Sequence, residues 1–179
     1  SFEGRVVLHG KKTGRPSRRI TLHQKELKIT SVTLQKHDNK LGWHEIKIDR
    51  VNTHKKYDEL RIHTPNLLHT GEYKVMISYS GKLTDSMHGM YPSYYTENNV
   101  KKSLIATQFE SHHAREAVPC VDEPEAKATF QLTVKAPKGD VVLSNTPVHK
   151  TKLLADKSHQ EVTFETTPIM SSYLLAFVM

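Results

Sequence analysis

Apolar side chains in this chain recur at every second position. Residues 72–79 (EYKVMISY) put Tyr73, Val75, Ile77 and Tyr79 on one side and Glu72, Lys74, Met76 and Ser78 on the other. The same beat returns in Phe130, Leu132 and Val134, and more briefly in Ile46 and Ile48, Leu60 and Ile62, and Val162 and Phe164. A period of two belongs to a strand with one buried and one wet face, because successive Cβ atoms leave the pleated backbone on opposite sides. No window of a dozen residues sustains the i, i+3, i+4, i+7 spacing of an amphipathic helix, and the one short helical candidate is 111–117. The fold class this dictates is mainly β: a twisted antiparallel or mixed sheet arranged as a saddle-like sandwich.

Turn-forming residues fall between the apolar runs, at Lys12 to Pro16, His37 to Lys40, His63 to Asn66, Pro137 to Asp140 and Ala155 to Ser158, and are read as hairpin and loop tips. The closing run Tyr173 to Met179 lacks polar alternation and is read as a strand buried on both faces. It also ends without a turn or polar cap, which is unusual for a natural terminus. With 36% hydrophobic and 25% charged residues in 179, the chain has apolar material for a core, which argues against wholesale disorder. The longest apolar run is far short of the roughly 20 residues a membrane-spanning helix needs. Cys120 is the single cysteine, so no intramolecular disulfide is possible and the expected location is a reducing cytoplasm.

Several chemistries lack their residues. A zinc helix needs a second histidine after His44-Glu45, and Ile46-Lys47-Ile48 supplies none; His112 and His113 are adjacent, so on a helix or a strand their rings diverge. Cys120 reads as a buried structural thiol rather than a nucleophile. The consecutive Asp122 and Glu123 point apart rather than flanking a sugar bond. The formal charge of +7 is scattered through many turns instead of forming one stripe, which disfavours nucleic acid as a partner. No phosphate-binding glycine loop, dinucleotide fingerprint or G-x-S-x-G elbow is present. Residues 81–126 have the weakest periodicity and concentrate Tyr, His, Pro, Glu and Asp, so function is expected there.

Within that stretch, residues 106–130 (ATQFESHHAREAVPCVDEPEAKATF) resemble a signature of the N-terminal domain of the zinc aminopeptidases typified by aminopeptidase N and leukotriene hydrolase, the gluzincins. There the pattern runs ATQ-x-E, AR, PC-x-DEP, K-x-x-F. Flanking pieces agree: G-x-Y-x-x-x-I-x-Y-x-G from Gly71 to Gly81, GMYPSYY at 89–95 and TTPIMSSYLLAFVM at 166–179. The departures are Val118 and Val121, where the family often has aromatics, and Ser111-His112-His113.

The resemblance implies that residues 1–179 form a single N-terminal β-domain of a larger enzyme. The zinc helix (HExxH), its downstream Glu and the GAMEN-type loop would lie beyond this sequence, and one more strand would precede Phe2-Glu3-Gly4. It also implies a cofactor, zinc, in the full-length enzyme and none bound by this segment, and partners in a peptide's N-terminus and the enzyme's own catalytic domain. Two substrate-binding residues carry over: Glu110, which receives the peptide's α-ammonium, and Gln108 beside it, which lines the pocket for the first side chain. Arg115, Pro119, Cys120, Asp122, Glu123 and Pro124 look architectural. The rival reading is a free-standing β-sandwich module that binds protein or carbohydrate.

Overall fold

The alternation over residues 72–79 is realised in the computed structural model, which describes residues 1–179, as the long central strand of a sheet. The chain divides into two compact units: Ser1–Lys82 with Arg115–Val121, and Leu83–Ala114 with Asp122–Met179. In the first, β1 (Phe2–Lys12), β2 (Ser17–His23), β3 (Lys28–Asp38), β4 (Gly42–Ile46), β5 (Arg50–His54), β6 (Glu59–Leu68) and β7 (Gly71–Gly81) build two antiparallel sheets, ordered β1-β7-β3-β4 and β2-β6-β5. The inward residues are the ones the period selects. Leu34, Leu60, Ile62 and Ile77 have no exposed surface, and each such side chain contributes about 1.5–3 kcal/mol by leaving water.

The β1–β7 pairing explains two glycines. Gly4 lies opposite Tyr79 and Gly81 opposite Phe2. A Cβ at Gly4 would sit 2.4 Å from the Tyr79 ring, and one at Gly81 2.4 Å from the Phe2 ring. Each aromatic lies over the gap its partner glycine leaves, and the two rings meet edge to face at 6.4 Å.

In the second unit, β8 (Gly89–Glu97), β9 (Val100–Gln108), β11 (Leu143–Ser144) and β14 (Phe177–Val178) form a sheet ordered β11-β14-β9-β8. Beside it in sequence, β10 (Thr133–Pro137), β12 (Val148–Leu153) and β13 (His159–Phe164) form one ordered β10-β13-β12. Asn98 and Asn99, at φ 50° and 61°, turn the β8–β9 hairpin; both are left-handed, the conformation a two-residue hairpin needs and asparagine tolerates. Ala136, Val142, Val162 and Phe164 form a small core, joined by Leu132, Val134 and Met179.

The mainly-β reading holds, and four local readings need correction. Residues 63–66 are not a loop tip but part of β6. The β2–β6 register jumps between Ser17 opposite Leu68 and Arg19 opposite His63, and Pro65 falls in that irregularity, where a missing N–H breaks no ladder bond. Phe130 and Leu132 precede β10, yet their carbonyls accept bonds from Thr167 and Phe164. The 111–117 segment is a turn with a three-residue 3-10 piece, Ala114–Glu116, not an α-helix. Tyr173 to Met179 is not a strand buried on both faces. It holds a 3-10 turn, Ser172–Leu174, then the two residues of β14, and Leu174 and Val178 are exposed.

Candidate functional site

β9 carries the signature toward its end. It lies between β8 and β14, so both its edges are hydrogen-bonded: Gly89 pairs with Gln108, and Ala106 with Val178. On the β14 side, the Thr107 hydroxyl donates to the Phe177 carbonyl at 3.1 Å and accepts from the Phe177 N–H at 2.9 Å. Ile105 and Met179 exchange backbone bonds at 2.8 and 3.0 Å. Gln108 is the last residue of the strand and is exposed. Phe109, only 1% exposed, turns inward, and Glu110 is again exposed. The backbone therefore presents Gln108 and Glu110 to solvent on either side of one buried ring. The Glu110–Ser111 peptide is cis, and the His113 N–H bonds back to the Phe109 carbonyl at 2.9 Å.

Beyond Glu110, the polar residues of the signature serve backbone order. Asp122 is 2% exposed, and its Oδ1 accepts a hydrogen bond from the Ser172 hydroxyl at 2.8 Å; the Ser171 hydroxyl donates to the Pro124 carbonyl at 2.6 Å, and Ala128 bridges Met170. A buried carboxylate needs such donors, since an unsatisfied one costs several kcal/mol. The Asp122 to Pro124 stretch is thus stitched to the 170–172 stretch of the same unit. Sequence reasoning quoted Ser171 and Ser172 inside a motif without seeing their role, because hydroxyl partners fifty residues apart leave no local period.

In the first unit, residues 115–121 lie against β2. Cys120 and His23 exchange backbone bonds at 3.1 and 2.7 Å, and the Lys25 N–H donates to the Arg115 carbonyl. Lys25 Nζ meets Glu116 Oε1 at 2.9 Å, a contact that raises the lysine's pKa above its ordinary value, and Arg115 Nη1 lies 3.9 Å from Asp58 Oδ2. Cys120 is buried, as a structural thiol would be. Burial also pushes the Tyr79 hydroxyl's pKa well up, with the Cys120 thiol adding to it.

His112 and His113 do not diverge as a helix or strand would make them. In the turn their rings stack at 4.9 Å, and His88 stacks on His113 at 4.5 Å. Imidazoles laid face to face do not point their ring nitrogens at a common centre, and no three His, Cys, Asp or Glu side chains are grouped to hold a metal ion. No helix is long and apolar enough to cross a membrane.

A family model described as "Peptidase M1 N-terminal domain" matches residues 1–174. The chain belongs to the Peptidase M1 family. It is 47% identical over 180 residues to aminopeptidase N of Lactococcus lactis subsp. lactis, 99% of this chain but 19% of that protein. To aminopeptidase N of Lactobacillus delbrueckii subsp. lactis it is 39% identical over 179 residues, 99% of this chain and 19% of the relative. To aminopeptidase M1-A of Oryza sativa subsp. japonica it is 37% identical over 167 residues, 92% of this chain and 18% of the relative. The M1 domain thus spans about a fifth of the length of these relatives.

Proposed function

We propose that this M1 domain is one N-terminal β-domain, residues 1–179, of a zinc-dependent aminopeptidase, and that it positions peptide substrates for a catalytic domain it does not contain. Glu110 accepts the peptide's α-ammonium, and Gln108 lines the pocket for the first side chain. The observation that carries this reading is the exposed Glu110 carboxylate at the end of a strand bonded on both edges, with buried Phe109 fixing the backbone beside it. A carboxylate held at a fixed point is a ruler for an exopeptidase: charge-assisted hydrogen bonds to an ammonium are worth about 1.5–3 kcal/mol and set where the chain begins. Aminopeptidase names among the relatives support the class of reaction. The metal chemistry belongs to the remainder of the enzyme, with which this domain partners; the lone buried cysteine supports a cytoplasmic setting.

The test is Glu110→Gln in the full-length enzyme. Loss of the charged acceptor is expected to raise KM for peptides about tenfold or more with zinc content unchanged, in line with about 1.4 kcal/mol per factor of ten. Unchanged KM and kcat would remove the amine-anchor role. The isolated chain is expected to bind no stoichiometric zinc by elemental analysis and to show no aminopeptidase activity.

A further inference from the structure

The surplus positive charge is confined to one unit. Ser1–Lys82 with Arg115–Val121 carries 18 Lys and Arg against 9 Asp and Glu, a net of +9, while the remainder carries 8 against 10. On the sheet β2-β6-β5 the register gathers part of that surplus. His63 in the middle strand lies opposite Arg19 on one side and Arg50 on the other. Directly opposed residues of antiparallel strands share a face, and so does Arg61, two residues along β6. Ile62 and Leu60, between and beyond them, fill the core on the other face.

The acids nearby do not neutralise this group. Glu59 is taken up by Arg61, Oε2 to Nε at 2.6 Å. Arg19 and Arg50 are exposed and form no ion pair with a carboxylate. Asp49, whose N–H donates to the His63 carbonyl at 2.8 Å, is the one acid whose field favours the imidazolium; desolvation, then Arg50, Arg19 and Arg61, outweigh it and hold the His63 pKa below the ordinary histidine value. Exposed cations normally spread out or pair, so two arginines without a carboxylate partner, facing each other across one imidazole, amount to an unfilled demand for negative charge.

We propose that the outward face of β2-β6-β5 is a binding site for a doubly charged oxyanion of the phosphate class, held between Arg19 and Arg50 with His63 beneath it and Arg61 in the next row. The two outer arginines start about 10 Å apart across β6, a gap that planar guanidinium forks can close on one tetrahedral anion, and arginine matches phosphate oxygens bidentately. Free phosphate and the phosphate of a small monoester offer the same chemistry.

The test follows the His63 ring by proton NMR in the 179-residue chain while inorganic phosphate is added, with sodium chloride at matched ionic strength as control. A bound dianion favours the imidazolium, so the His63 pKa is expected to rise and its signals to move saturably. Arg19→Gln and Arg50→Gln are each expected to weaken binding about threefold, the scale of a partly exposed charge contact, and the double variant about tenfold. Both positions are exposed, so thermal unfolding of the variants should match that of the parent. A parallel titration with phenyl phosphate assigns the source: tighter binding than inorganic phosphate points to a monoester, equal or weaker binding to the free ion. A His63 response no larger than that to chloride, or an unchanged midpoint in R19Q/R50Q, would overturn the site.

Discussion

At the residue scale, two glycines show how little room the first sheet leaves. Gly4 and Gly81 are each covered by an aromatic ring from the neighbouring strand, and a methyl group at either would collide at 2.4 Å. Gly81→Ala is expected to cost about 1–3 kcal/mol, the range for forcing a side chain into a packed site, seen as a lower urea midpoint with an unchanged slope. Asp156 offers a titration instead. A hydrogen bond with His159, then backbone N–H donation, lowers its carboxyl pKa to about 2. Because the folded value lies below the unfolded one, its contribution to stability is fully present above about pH 4 and is lost as pH falls toward 2. A carbon-13 titration of that carboxyl should show its midpoint near 2; a midpoint at the ordinary aspartate value would remove the contribution.

At the element scale, the strand that ends in Gln108 takes its order from partners far along the chain. Ser172→Ala removes one donor from the buried Asp122 carboxylate and is expected to lower stability by about 1–3 kcal/mol and to speed amide exchange at Ala128, which bonds to Met170 nearby. Faster exchange throughout the chain with no local excess would mean that the bond contributes nothing specific. These elements also mark how far sequence reading reached. The strands β6, β7 and β13 were legible because a half-buried sheet imposes its period on the residues themselves. Pro65 was misread because a register jump inside a strand accommodates the same residue as a turn. The closing run was misread because apolar Leu174 and Val178 face outward, and apolar composition alone does not tell a covered face from a bare one. Gln108 and Glu110 are legible only through the resemblance of ATQFE to the aminopeptidase signature; their own spacing is that of any strand end. The facing arginines about His63 were invisible, since Arg19, Arg50 and Arg61 are brought together by pairing and not by sequence.

At the scale of the whole molecule, charge and connectivity follow the same division. The unit with the +9 surplus contains both the sheet bearing the arginines and residues 115–121, whereas the exposed Gln108 and Glu110 belong to the other. The first unit's connectivity is also broken: Val118 joins its core and Cys120 bonds to His23, yet both lie beyond the 32 residues, Leu83–Ala114, that separate its two pieces, so a gene cut at Lys82 would express an incomplete body. A fragment of residues 1–82 is expected to give a poorly dispersed NMR spectrum alone and to gain dispersion when a synthetic peptide of residues 115–121 is supplied. Homologous swaps between relatives should accordingly exchange the two pieces together, since a crossover placed between them would leave a borrowed plug facing a foreign socket.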